Sequence, residues 1–538
     1  MKKITSFNIS SVKLFNLLVS IFIVLFLNIP LWSFLYKLAV TDNLIPISFL
    51  LSFFIALICF IYVGISLFTF PYIHKIFLSF ILICSALAQY FMLKYGVIID
   101  SYMIQNVFET DFKESLELVS YNMVLNVLFL GILPLLAIFM VKIKYPNKIF
   151  DYIKFYLYGL LALVIFTSII FFQYKTFVSV FRNHKDIIFR IIPNNFINGI
   201  YQNVILMLPT ENKKQISSEA HKNKSWKNHK NRAVFVFVIG EAARADHFSL
   251  NGYSKETNPN LKKQGVINFE NFYSCGTSTA VSVPCMFSSL DKANFSKQDF
   301  KYNDNLVDLI KKSGFKVLWV ENNGGGCKSV CDNINTIQMQ SVEVNNSINN
   351  EIFDEEMLKI LKDFINNNKK DDLFIVLHQM GSHGPAYYKR TPKKFQQFQP
   401  ICDSIELQKC SSEEIKNSYD NTILYTDYFL SEIIEILKEK TEVNTAMFYV
   451  SDHGQSLGEK GIYLHGMPYL IAPKNQKHIP MLMWLSKNFT KEFNLDTNCL
   501  ESVSNNHLSH DNLFHSILDL LKIDTNIKNQ KFIFNHCN

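Results

Sequence analysis

The sequence predicts an N-terminal helical membrane domain of five transmembrane helices, followed by a C-terminal α/β domain with a central, mostly parallel sheet. Three observations predict it. Runs of Phe, Leu and Ile crowd into the first third of the chain, and the rest is richer in Asn and Lys. From Ala233 onward, short β-rich runs alternate with helical patterns. The carboxylates and imidazoles of that second part gather where the short runs end.

A helix needs about 20 apolar residues to cross a bilayer. Five runs reach that length, near residues 13–36, 46–69, 76–95, 121–142 and 153–174. The first is too long for a signal peptide, lacks a small-residue cleavage site and is followed by more spans. Lys2, Lys3 and Lys13 precede the first span. His74 and Lys75 lie between the second and third, and Lys142, Lys144 and Lys148 between the fourth and fifth. These basic residues share one side, which the positive-inside rule assigns to the cytoplasm. An odd number of spans then sends everything after about residue 175 to the outer side.

The expected domains are therefore a membrane domain over 1–174, a connector with bridging helices over 175–232, and an outer α/β domain over 233–538. The membrane domain includes an outer-side loop at 96–120. In that loop Asn106, Thr110 and Glu114 recur at four-residue spacing, so one helix would present them on one face. Such a face reads either as a solvated interfacial helix or as a polar lining for a lipid headgroup. The formal net charge of +7 suits work beside an anionic surface. The chain carries no arginine-rich segment or nucleic-acid motif, and no nucleic-acid partner is expected.

Of ten cysteines, Cys59 and Cys84 fall in spans and the other eight in the outer domain. Cys275 and Cys285, Cys327 and Cys331, and Cys402 and Cys410 are close in sequence, with Cys499 and Cys537 left over. An even number in an exported domain fits disulfides, and the usual C-x-x-C doublets of a cysteine zinc site are missing. Spacing leaves the connectivity open.

The runs "AVFVFVIG", "FKVLWVEN", "DLFIVLHQ", "AMFYVSD" and "IPMLMWL" read as strands, and 304–313, 354–366, 413–439 and 511–522 as helices. Strands that are apolar on both faces and alternate with helices form a parallel sheet covered on both sides. Ligands bind such sheets beyond the carboxyl ends of the strands. At those ends stand Glu241, Glu321, His378 and Asp452-His453, and the following loops bring Lys328, His383 and His465. A Glu, an Asp and a His suit Zn²⁺, with Mn²⁺ or another divalent ion second. In "FYSCGTSTAVSVPCMFSSL", Thr277, Ser278 and Thr279 precede a helix whose orphan N–H groups can face an anion, so their hydroxyls are candidate nucleophiles. A metal can activate such a hydroxyl and offset charge on a phosphoryl oxygen.

The stretches "VIGEAARADHFSLNGY", "SCGTSTAVSVPCMFS", "HQMGSHGP", "SDHGQSLGEKGIYLHGMPY" and "LSHDNLFHSILDLL" resemble the lipid A phosphoethanolamine transferases of the EptA type. That group includes the transferable colistin-resistance enzymes and belongs to the alkaline phosphatase and sulfatase superfamily. The resemblance runs over essentially the whole chain, the "MIQNVFETD" loop included. It implies an alkaline phosphatase/sulfatase-like sheet and a zinc-dependent phosphoethanolamine transferase. Thr279 would be the nucleophile and, with Glu241, Asp452 and His453, a ligand of one tightly bound Zn²⁺. His383 and His465 would hold the phosphoethanolamine or a second zinc during turnover. Lys328 would sit near the transferred phosphate, and Asn106, Thr110 and Glu114 in a membrane-proximal substrate loop. The implied disulfides are Cys275–Cys285, Cys327–Cys331, Cys402–Cys410 and Cys499–Cys537.

The resemblance also implies phosphatidylethanolamine as donor and lipid A or lipooligosaccharide as acceptor. It implies a multi-pass protein of the bacterial inner membrane with a periplasmic catalytic domain, resistance to polymyxin, and a monomer. Three positions depart from the family pattern: Gln455 where Glu is usual, Ala242 where Ser or Thr is common, and His247 where Asn is common. The rival readings are a phosphoglycerol transferase, a sulfatase or a phosphodiesterase on the same fold. More distant is a membrane-anchored sensor with a dead catalytic domain.

Overall fold

The structure, a computed structural model, describes residues 8–9, 11–42, 44–110, 112–207, 218–339, 352–528, 532–533 and 537; for 8–9, 112–114 and 206–207 only the backbone is described. The chain forms two compact units. One comprises residues 1–104 and 119–204, the other 105–118 and 205–538. Residues 175–204, which the sequence places in the connector, thus pack with the apolar helices. Residues 105–118, from the middle of the apolar third, pack with the α/β unit.

In the first unit, Ile47–Leu67, Ile73–Tyr95, Tyr121–Met140 and Ile149–Phe172 are long and apolar enough to cross a membrane. A fifth span is present if the bent pair Val12–Leu27 and Ile29–Thr41 counts as one; the bend is 57°. Its cause is local. Asn28 stands at the break and Pro30 begins the next helix, where its missing N–H costs nothing. The Asn28 side chain donates to the carbonyls of Ile23 at 3.1 Å and Ile192 at 2.7 Å, and accepts from the Ile192 N–H at 2.9 Å. A buried amide with three partners replaces the helical bonds lost at the break.

The second unit is built on an eight-stranded sheet. Its strands are β1 (Ala233–Gly240), β2 (Ile267–Tyr273), β3 (Lys316–Glu321), β4 (Asn335–Gln338), β5 (Leu373–His378), β6 (Asn444–Ser451), β7 (His478–Leu485) and β8 (Leu508–Ser509). The order across the sheet is β8-β2-β7-β6-β1-β5-β3-β4. β7 pairs antiparallel with both β2 and β6, and the remaining neighbours are parallel. The carboxyl ends of all strands but β7 therefore share one edge.

All eight residues of β1 are buried. Phe235, Phe237 and Ile239 enter one core with Phe448 and Val450, while Val234, Val236 and Val238 enter another with Met447 and Tyr449. Period-two alternation with both faces covered explains why the strand reads as one apolar run. The predicted helices lie at Leu306–Lys312, Met357–Asn367, Ser412–Lys438 and Leu513–Leu520. Two begin with capping boxes, Asn305 with Asp308 and Ser411 with Glu414, which satisfy N–H groups left open at a helix start. The sequence reading misses β2, "INFENFY", because its polar residues interrupt the apolar signal; only Phe269 and Phe272 of it are fully enclosed. It also misses the short strands β4 and β8.

Candidate active site and metal centre

The site grows from the shared sheet edge. Gly240 closes β1 against the Tyr449 ring. A Cβ there would lie 2.4 Å from the Tyr449 hydroxyl, so glycine leaves the room that this side chain fills. Glu241 follows, then Ala242 in the left-handed region at φ 55°. That unfavourable turn is held from both sides: Tyr419 donates to the Ala242 carbonyl at 2.7 Å, and the Ala242 N–H donates to Asp452 Oδ1 at 3.1 Å. Asp452 leaves β6 beside it. Its Oδ1 also accepts the His453 N–H at 2.7 Å. Its Oδ2 is buried and accepts no hydrogen bond among the described residues.

His453 is fully buried, and its Nδ1 meets the Gly454 carbonyl at 2.9 Å. A carbonyl only accepts, so Nδ1 carries the proton and Nε2 offers its lone pair. Burial holds the imidazole pKa down to about 3, so the ring is neutral. Nε2 lies 3.3 Å from Asp452 Oδ2 and 3.5 Å from Glu241 Oε1.

Thr279 is the first residue of the helix Thr279–Met286. The turn before it is pinned by the Cys275–Cys285 disulfide, and Thr277 Oγ1 donates to the Met467 carbonyl at 2.6 Å. The Gly466 N–H returns a bond to the Thr277 carbonyl at 2.8 Å, which sets the His465 loop beside the Thr279 turn. The half-buried Thr279 hydroxyl donates to Glu241 Oε2 at 3.0 Å and lies 3.3 Å from His453 Nε2. Glu241, His453 and His465 each offer a ligand atom within 4.8 Å of the others.

Buried carboxylates set around one imidazole lone pair repel it unless a cation lies among them. The oxygen and nitrogen donors, the orphaned Asp452 Oδ2 and the neutral ring fit a divalent ion such as zinc.

His465 does not stand apart from this cluster. Its ring is 4.2 Å from that of His453, and 5.9 Å from that of His383. Its Nδ1 meets Gln455 Oε1 at 2.8 Å, and Gln455 Nε2 donates to the Tyr387 hydroxyl at 2.9 Å. Lys328 lies inside the Cys327–Cys331 loop with φ 52°, its side chain 7 % exposed and Nζ 3.1 Å from Glu109. The pairs Cys402–Cys410 and Cys499–Cys537 are likewise bridged.

Two strand-end residues do not join the cluster. His378 Nδ1 lies 2.9 Å from Glu321, which also accepts from Trp319 Nε1 at 2.9 Å; the pair is consumed within the fold. Nor does one helix carry Asn106, Thr110 and Glu114. The first helix, Ser101–Glu109, stops before Thr110, whose hydroxyl bonds back to the Asn106 carbonyl at 2.6 Å. Glu114 belongs to a second helix, Phe112–Glu117, and its side chain lies outside the described residues.

Of the departures from the family pattern, His247 pairs through Nδ1 with buried Asp420 at 2.6 Å. Asn323, Glu109, Glu117 and Arg390, all close to the site, escape the sequence reading. Asn323 donates to Glu241 Oε2 at 2.7 Å, and its signal was the loop just after β3.

The helix-covered, mostly parallel sheet, with a half-buried threonine hydroxyl and buried carboxylates at its edge, belongs to the sulfatase class of enzymes. The sequence signature of that family, described as Sulfatase, matches residues 233–523. A second signature, Phosphoethanolamine transferase EptA/EptB, matches residues 53–206. The chain is 37 % identical to the phosphoethanolamine transferase EptA of Escherichia coli K12, over 95 % of this chain and 94 % of that one. It is 36 % identical to the phosphatidylethanolamine transferase Mcr-1 of Escherichia coli, over 85 % of each. It superposes on the integral membrane lipooligosaccharide phosphoethanolamine transferase EptA of Neisseria meningitidis with a TM-score of 0.90 at 33 % identity, covering 96 % of each chain. The chain belongs to the EptA family of phosphoethanolamine transferases, multi-pass membrane proteins with an α/β domain.

Proposed function

We propose that this chain moves phosphoethanolamine from phosphatidylethanolamine to a phosphate or sugar of lipid A or lipooligosaccharide, through a phosphoethanolamine-Thr279 intermediate. It works at the periplasmic face of the bacterial inner membrane. The observation that carries the reading is the Thr279 hydroxyl, 3.0 Å from Glu241 and 3.3 Å from His453, at the mouth of a buried donor cluster.

In the first half-reaction, Thr279 Oγ1 bonds to phosphorus and the bond from phosphorus to the diacylglycerol oxygen breaks. The threonine proton leaves along its hydrogen bond to Glu241 Oε2. The diacylglycerol oxygen takes a proton from His383 or His465. Lys328 offsets charge on the transferred phosphoryl group. In the second half-reaction, an acceptor oxygen attacks the same phosphorus and its proton passes to the histidine that gave one up, while the bond from phosphorus to Thr279 Oγ1 breaks and that oxygen recovers its proton from Glu241. A zinc ion held by Glu241, Thr279, Asp452 and His453 would supply Lewis acidity at this point, favouring ionised threonine and countering charge at phosphorus. His383 and His465 would hold the headgroup or a second zinc during turnover. Donor and acceptor are both lipids, so anchoring the catalyst in the same surface raises their effective concentration. The product carries a cationic headgroup, and the cell surface then attracts cationic peptides such as polymyxin less strongly.

The test is intact-mass spectrometry of the full chain after exposure to phosphatidylethanolamine. The wild type gains a phosphoethanolamine increment and Thr279→Ala gains none. An increment on the alanine variant would overturn the assignment of the nucleophile. Diacylglycerol released from labelled phosphatidylglycerol instead of phosphatidylethanolamine would make the chain a phosphoglycerol transferase.

A further inference from the structure

Segment 105–118 is tied into the α/β unit by two acidic residues, each shared between two cations. Glu109, at the end of its helix, binds Lys297 through Oε1, and Lys328 Nζ lies 3.1 Å from its Oε2. Buried Gln105 donates to Glu109 at 2.8 Å and reaches the carbonyl of Ala280, next to Thr279, at 3.5 Å. Lys328 also touches the turn that borders the candidate site. A Cβ on Gly325 would lie 2.6 Å from its Nζ, so the ammonium rests on the turn whose Asn323 donates to Glu241.

Eight residues further along, Glu117 binds Arg390, with Lys389 Nζ at 3.7 Å. Arg390 is 3 % exposed and Glu117 9 %. Arg390 Nε donates to the carbonyl of His383 at 2.9 Å. One guanidinium thus holds both the segment and the backbone of a site histidine, a two-ended use that its planar fork allows. Burial alone would raise both carboxyl pKa values. The lysines around Glu109, and Arg390 beside Glu117, bring them below the usual carboxylate range instead.

We propose that Glu109 and Glu117 are positioning residues that strap segment 105–118 to the candidate site, Glu109 by aiming Lys328 and Glu117 by fixing His383 through Arg390. The inference rests on the transferase reading for what Lys328 and His383 do. The charge count fits that use. Each clamp sets one carboxylate against two cations, so charge as well as hydrogen bonding holds the segment. Two clamps hold a segment against both sliding and lifting. One would leave it free to pivot, and Asn106 and Thr110 lie on the strap near its first anchor.

The experiment uses the full chain in lipid nanodiscs and compares Glu109→Gln, Glu117→Gln and Arg390→Lys with the wild type. The glutamines keep side-chain size and remove one charge. Hydrogen exchange is followed in the 105–118 peptide, with strands β1 and β6 and the bound zinc content as internal standards. Diacylglycerol release from phosphatidylethanolamine gives kcat and KM. Both glutamine variants raise exchange in 105–118 by about tenfold or more, with the standards unchanged. Glu109→Gln raises KM, and Glu117→Gln lowers kcat. Arg390→Lys keeps the charge on Glu117 but loses the bond to His383. It keeps the strap protected and lowers kcat as Glu117→Gln does.

Wild-type exchange in both glutamine variants would overturn the strap. A loosened strap with kcat and KM unchanged would overturn the positioning role. If the wild type released no diacylglycerol, the donor assignment would fall, and the strap would still stand or fall on exchange.

Discussion

Gln455 offers the sharpest trial of how the site is held. It is fully buried and joins two elements, accepting at Oε1 from His465 Nδ1 at 2.8 Å and donating from Nε2 to Tyr387 at 2.9 Å. Replacing it with leucine keeps an apolar body of similar size and removes both bonds. The Tyr387 hydroxyl is completely enclosed, and an orphaned buried group costs about 1–3 kcal/mol. The His465 ring is half-buried and its loss is smaller, so Gln455→Leu lowers stability by about 2–4 kcal/mol in all. At about 2–4 °C per kcal/mol for a domain of this size class, the melting temperature falls on the order of 5–10 °C.

The second consequence is chemical. Without an acceptor at Nδ1, His465 loses the partner that fixes its tautomer. Metal-site partners of this kind are worth about 10- to 100-fold in affinity. Gln455→Glu behaves oppositely, because a carboxylate accepts from both His465 Nδ1–H and the Tyr387 O–H. It keeps stability within about 1 kcal/mol and binds zinc at least as tightly as the wild type. The assay is a zinc titration against a competing chelator, with thermal melting of the same detergent-solubilised samples. Wild-type melting and zinc affinity in Gln455→Leu, or a clear loss of affinity in Gln455→Glu, would refute this account of His465.

Stripping the metal with a chelator lowers the melting temperature, because the buried carboxylates of Glu241 and Asp452 are then left uncompensated around the His453 ring, and zinc restores it. At a hundredfold excess over its dissociation constant, zinc adds about 2.7 kcal/mol. Asp452→Asn turns the orphaned Oδ2 into a donor and abolishes the zinc-dependent rise; a melting curve indifferent to zinc in the wild type would empty the cluster of its meaning. Gly240→Ala forces a methyl against the buried Tyr449 hydroxyl, for which 2.4 Å is available. Overpacking of this kind costs about 1–3 kcal/mol, read as a melting temperature lower by roughly 2–10 °C.

Much of the architecture is legible in one dimension because its causes are local. A bilayer sets the length of an apolar helix, so the spans show as runs, although the bend at Asn28 depends on Ile192, far away in the chain. Strands enclosed on both faces show as β1, β5 and β6 do. Strand β2, interrupted by Asn268, Glu270 and Asn271, does not. Sequence also places Glu241, Asp452 and His453 at strand ends, because ligand sites of such sheets lie there. It places Glu321 and His378 there with equal force, and it cannot know that those two pair with each other.

Chain order says which side chains reach the edge of the sheet. Distances of a few ångströms between residues up to 273 positions apart, as in Glu117 and Arg390, decide which of them meet. The strand order, the orphaned oxygen of Asp452, the Gln455 link and the two clamps on 105–118 belong to the tertiary structure alone. Patterns of hydrophobicity and turn chemistry act between neighbours and are written in sequence. Charge pairing and metal-ligand geometry act between parts of the chain that only folding brings together.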